Sequence, residues 1–192
     1  MMIDRPPGWR FLTTVSVVAL ISFYGASVSK WYSEAIMFMF LAWSVLILIW
    51  LTRLGTAGWQ ARHVLTTARL RRWLPAPLIF FAVVAALAMD GPLWVRFSLS
   101  QPSLERYAKE IAAGVDPSPG CRWVGLYRIC GDYTSGGEAI PGGSRFLVSD
   151  WPLMASRGFV WLPSGQLPTD NMDDQYRHLT GPWYGWKGWD GV

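Results

Sequence analysis

Acidic residues are nearly missing from the first 89 positions of this 192-residue chain, where Asp4 and Glu34 face eight basic residues for a formal charge of +6. From Asp90 onward eleven acids face nine bases, so the net +4 of the whole chain comes from one half. Those arginines lie between apolar runs rather than on a separate basic domain, which argues against a nucleic-acid partner. Charge is wholly lacking from three stretches, 11–29, 35–52 and 73–89, of 19, 18 and 17 residues. Transport is disfavoured by that lack, because ion and proton pathways normally need charged groups or broken helices inside the spans. An oligomeric pore lined by hydroxyls such as Thr13, Thr14 and Ser16, or a transport accessory role, stays open as a lesser alternative. Cysteine and histidine occur twice each, with no CxxC and no GxSxG pattern. Neither a zinc or redox centre nor a nucleophile elbow is therefore indicated, and no cofactor is expected.

What the chain does have is apolar length. Each uncharged stretch meets the roughly 17–25 residues needed to cross a bilayer core as a helix. The third is the shortest and opens with Pro75 and Pro77, which suit a first helical turn and would disrupt an interior. Trp9, Trp31, Tyr32, Trp50, Trp73 and Trp94 fall at or just outside the proposed ends, where amphipathic rings favour the headgroup layer. Small residues four apart, Ser22/Ala26 and Gly25/Ser29, predict close helix contacts in the first span.

Orientation follows from the connections. Residues 53–72 carry five arginines and His63 without an acid, whereas 30–34 carry one charge of each sign. The positive-inside rule puts the former in the cytoplasm together with Arg5 and Arg10, and three crossings then place everything after Asp90 outside. A cleaved signal peptide is the rival account of the first span, and it leaves the other two oriented as before. Arg62, Arg69, Arg71 and Arg72 are candidate contacts to anionic lipid, each basic group being worth about 1 kcal/mol near such a leaflet; a bare topology signal is the plainer alternative.

The expected architecture is a membrane α-helical part, residues 1–89 with three transmembrane helices, followed by a small extracytoplasmic α+β domain, 90–192, with a mainly antiparallel sheet. Within that domain 102–113 reads as a helix, with Pro102 in its first turn, Leu104, Ala108 and Ile111 on one face and Glu105/Lys109 as an i,i+4 pair. Three β-like runs follow at 122–129, 144–149 and 158–162. Cys121 and Cys130 lie in the part assigned to an oxidising compartment. A bond between them requires the chain to reverse near Gly125; an unbroken strand over 122–129 leaves them free or bonded between chains. The glycine-rich tail disfavours a helix, and its Trp183, Tyr184, Trp186 and Trp189 have three readings: core closure, contact with the outer leaflet, or a recognition surface.

The segments RFSLSQPSLERYAKEI (96–111), VGLYRI (124–129), GFVWLPSGQLP (158–168) and YRHLTGPWYGW (176–186) resemble, in order, an uncharacterised group of multi-pass membrane proteins frequent in actinobacteria. The resemblance covers about half the chain, implies the same domain boundary and carries over no catalytic residue. Its typical members lack cysteines flanking the LYR strand, so Cys121 and Cys130 are a local variation.

Candidate chemistry is sparse. His178 is the histidine of the outer half and the weak candidate for a catalytic base, with Ser164 or Thr180 as nucleophile; a hydrogen-bonded structural histidine is the bland alternative. Asp170, Asp173 and Asp174 offer oxygen ligands for calcium but lack the alternation and glycine of an EF-hand, so no metal site is assigned. The expected function is a non-enzymatic, membrane-anchored extracytoplasmic domain that contacts an envelope or membrane protein; the alternative is an extracytoplasmic hydrolase using His178.

Overall fold

A computed structural model describes residues 8–60, 71, 73–113, 121–130, 143–150, 157–164 and 174–188; of Ser33, Gln60 and Asp174 it describes the backbone alone. Among them are four helices, α1 (Trp9–Gly25), α2 (Ser33–Gln60), α3 (Pro75–Ala88) and α4 (Gly91–Ala112). Six strands follow: β1 (Cys121–Val124), β2 (Tyr127–Cys130), β3 (Ser144–Val148), β4 (Arg157–Trp161), β5 (Asp174–Thr180) and β6 (Trp183–Gly188). The chain divides into two units, one of Met1–Gly25 with Ser33–Gly91, the other of Ala26–Tyr32 with Pro92–Val192.

The first unit is helical. α2 spans 28 residues, about 42 Å at 1.5 Å per residue, and exceeds the roughly 30 Å of a bilayer core. Among the described residues its segment Glu34–Trp59 is the one helix long and apolar enough to cross a membrane by itself; α3 and α4 taken together as one broken span make a second. A helix in a soluble core hides such residues, yet only 22% of this apolar window is buried. Met37, Phe40, Leu41 and Leu48 all face outward. α1 is a shorter apolar helix of 17 residues. It ends at Gly25, four residues before the expected span does, and a Cβ at that glycine would come within 2.6 Å of the Ala35 Cβ on α2. The small-residue contact therefore exists, but Ala26 and Ser29 are not on the helix with Ser22 and Gly25. Pro75 opens α3, as its fixed φ allows. The helix stops where Asp90 takes a left-handed φ of 51°, a conformation that aspartate tolerates better than most residues.

The second unit is built on an antiparallel sheet of order β1-β2-β3-β4-β6-β5. One face packs on α4, whose buried Leu93, Phe97, Ser100, Leu104, Tyr107 and Ala108 recur every three or four residues. α4 begins eleven residues earlier than the expected helix, and Pro102 lies in its interior. The missing N–H leaves one carbonyl of the preceding turn without its intrahelical bond, and the packing of both flanks carries the helix through. The Glu105–Lys109 pair forms, with Nζ 2.7 Å from the carboxylate. Phe97 stacks against Phe159 and Trp183, and Tyr107 against Phe146, at ring separations of 5.3–5.8 Å. On the opposite face Val160, Leu162 and Trp186 form a second buried cluster.

The expected strand 122–129 is two strands. Gly125, at φ 63°, turns the chain into a hairpin, and side-chain space is also lacking there because a Cβ would meet Ser100 at 2.7 Å. The tail is a hairpin as well, turned at Gly181 and carrying a bulge between His178 and Thr180. Ala26–Tyr32 belongs to this sheet unit because its small residues fit against β6: Gly185 has no room for a Cβ beside the Ser29 hydroxyl.

Candidate functional site

The hairpin β1–β2 is fixed from three directions. At its open end Cys121 and Cys130 stand opposite each other in register and form a disulfide, their Cα atoms 4.0 Å apart. At the turn, the Leu126 N–H donates to Ser100 Oγ at 3.0 Å and Arg96 Nε donates to the Leu126 carbonyl at 3.2 Å. Along the side, Asp150 Oδ1 accepts the Arg128 N–H at 2.6 Å, and the other Asp150 oxygen pairs with the Arg96 guanidinium.

Arg96 is the centre of this arrangement. Its side chain is 10% exposed and that of Asp150 fully buried, so the two charges offset each other's loss of water. A third group, Ser27 Oγ, accepts from Arg96 at 2.8 Å, and the guanidinium carbon lies 4.1 Å from the centroid of the Tyr127 ring. Tyr127 in turn donates its hydroxyl to the Ser27 carbonyl at 2.9 Å. Burial raises the Tyr127 pKa well above the ordinary phenol value, while the neighbouring Arg96 pulls the other way. Close by in the fold, Arg157 is 2% exposed and lies over the Tyr32 ring at 5.2 Å. The connection Ala26–Tyr32 is thus bonded into the sheet unit through two buried arginines.

On the outer side of this fixed hairpin two apolar residues face away from the core: Trp123, 66% exposed, and Leu126, 47% exposed. Among the described strands, β1 is also an edge of the sheet. A large aromatic side chain on a rigid edge loses little conformational freedom on binding, which is how contact surfaces gain affinity at low entropic cost.

The residues singled out from sequence are placed differently. Trp183 is 1% exposed and Trp186 is buried, so neither is available as a recognition surface; both serve the core. Tyr184 is half-buried with its ring 5.0 Å from that of His178. Trp189 lies outside the described residues. His178 is exposed, its Nε2 3.0 Å from the Gly181 carbonyl at the hairpin turn. Ser164 is exposed in a turn, and Thr180 sits in β5 opposite Trp183. Arg71 is exposed, whereas His63, Arg62, Arg69, Arg72, Asp170 and Asp173 lie outside the described residues. No cluster of three or more histidine, cysteine or acidic groups occurs among the described residues. Sequence reasoning missed Arg96, Asp150 and Tyr127. Its available signal was Arg96 itself, one cation inside the apolar run 92–99, where a charge needs a buried partner. Comparison with protein-family models, curated proteins and solved structures finds no match.

Proposed function

We propose that the chain is an integral membrane protein, N-terminus in the cytoplasm, whose extracytoplasmic sheet unit uses the disulfide-closed hairpin to contact an envelope or membrane protein without catalysis. The observation that carries this reading is the exposure of Trp123 and Leu126 on a hairpin held by a disulfide and by Arg96 and Asp150. Anchoring rests on the outward-facing apolar side chains of α1, α2 and α3, among them Leu20, Phe40, Leu48, Leu78 and Phe81. Water does not reward that surface, and hydrocarbon does.

A connectivity argument supports the number of crossings. Ala26–Tyr32 and Pro92–Val192 fold as one unit and therefore lie on one side of any bilayer. If α2 crosses, the chain must return before Pro92. α3, 14 residues or about 21 Å long, is the apolar helix described in that interval, extended by flanking Trp73, Leu74 and Met89. α1 then crosses from the opposite side, the side of Arg53 near the end of α2 and of the arginine-rich sequence that follows it. A disulfide in the sheet unit agrees with an oxidising compartment for it.

Partner contact is tested by replacing Trp123 with a photo-crosslinking amino acid in intact cells, with Arg177 on the opposite edge strand β5 as control. A discrete protein adduct at 123, lost in Leu126→Asp and absent at 177, is expected. Equal labelling at both positions, or no adduct at 123, contradicts the reading.

A further inference from the structure

The helical unit contains a half-open crevice of about 350 Å³ between α1, α2 and α3, lined by apolar side chains that include Phe11, Val15, Trp43, Trp50, Pro77 and Phe80. Its volume lies within the roughly 300–1,000 Å³ of ligand pockets. Its walls are held open. Trp43 donates its indole N–H to Ser22 Oγ at 3.1 Å and takes the edge of Phe80 at a ring separation of 5.2 Å, while Val15, Val18 and Leu46 form a closely packed floor. Its lining offers water almost no polar partners, so within a bilayer a hydrocarbon chain is the occupant its chemistry favours.

Among the described residues, two cations lie near one end of the lining. Phe11, one wall of the crevice, carries the Arg53 guanidinium over its ring at 5.9 Å, and Arg53 follows Trp50, another wall, by one helical turn. Arg10 precedes Phe11 directly and lies over Trp9 at 6.0 Å. An apolar crevice with Arg53 over one of its walls and Arg10 next to that wall in sequence suits a single amphiphile with an acidic head.

Building on the membrane reading above, we infer that this crevice is a binding site for one anionic phospholipid of the leaflet that faces the arginine-rich connection. An acyl chain lies between Phe11, Trp43, Trp50 and Phe80, and the phosphate lies against Arg53 and Arg10. A zwitterionic lipid fills the apolar part equally well and presents the same phosphate, but its headgroup cation is repelled by the arginines and offsets part of that attraction.

The test uses the full chain in mild detergent with phosphatidylglycerol or phosphatidylcholine of identical acyl chains, bound lipid being counted by native mass spectrometry. One phosphatidylglycerol per chain is expected to outcompete phosphatidylcholine. Arg53→Gln should weaken that lipid about five-fold, equivalent to about 1 kcal/mol, and weaken phosphatidylcholine less, so that the preference narrows. Ile47→Trp, at a crevice position already 36% exposed, should reduce both lipids together. Equal retention of the two lipids, an unchanged preference in Arg53→Gln, or a chain dimer in place of the lipid overturns the site. Alkaline extraction of membranes separates the two levels: a chain that stays in the bilayer but shows no preference overturns the lipid site alone, whereas a chain released overturns the membrane reading as well.

Discussion

Exchanging Arg96 for methionine removes the guanidinium that faces a fully buried Asp150. Breaking one partner of such a pair costs about 3–5 kcal/mol, whereas replacing both with apolar groups of similar volume recovers much of the loss. Thermal unfolding of Arg96→Met, Asp150→Leu and the double variant in detergent should therefore be non-additive, the double variant being more stable than the two single effects sum to. Additive losses would mean that the pair is not coupled. Tyr127 gives a pH signature. Its folded pKa is raised by burial, so its contribution is complete below the unfolded value of about 10 and declines as pH rises above it, when the unfolded chain gives up the proton first. Unfolding midpoints followed above about pH 10 should fall less steeply in Tyr127→Phe than in the parent chain. None of these roles was legible from residue type alone. Arg96 stands out as a charge among apolar neighbours, but its partner is 54 positions away and only folding brings the two together.

At the scale of the element, hairpins were harder to read than helices. The apolar stretches announced α1 to α3 because a helix needs nothing but its own length, and the Glu105–Lys109 spacing announced α4. The start of α4 was hidden because Pro102 reads as a boundary when its neighbours cannot be seen. The run 122–129 looks like one strand by composition; Gly125 breaks it because the turn must pass against Ser100. β5 and β6 were missed because glycines usually weaken strands, yet Gly185 is required where Ser29 crosses the sheet. Two outcomes follow. Gly125→Ala places a Cβ both at positive φ and against Ser100, and should lower stability by about 1–3 kcal/mol in a thermal melt. Opening the loop between Cys121 and Cys130 by Cys121→Ser with Cys130→Ser should cost about 2–3 kcal/mol by the chain-entropy estimate, with the same loss on reduction of the parent chain. A melt indifferent to reductant would contradict the disulfide's role in fixing the hairpin.

For the whole molecule, the division of the chain carries the most weight. Composition puts a boundary near Asp90, whereas the sheet unit comprises Ala26–Tyr32 as well as Pro92–Val192. Composition does not reveal that the short connection Ala26–Tyr32 is part of that unit, because its small residues AS and VS read as the end of a span. Arg96, Arg157 and Gly185 draw it into the fold. Under the proposed membrane reading, that assignment puts two distant parts of the chain on one side of the bilayer, and it is open to direct measurement. Single cysteines at Lys30, Arg71 and Arg177, in a chain whose own two cysteines are disulfide-bonded, are to be labelled in intact cells with a membrane-impermeant maleimide. The account predicts labelling at Lys30 and Arg177 in intact cells and at Arg71 only after permeabilisation. Labelling of Lys30 and Arg177 from opposite sides, or of Arg71 from the same side as Arg177, would contradict it.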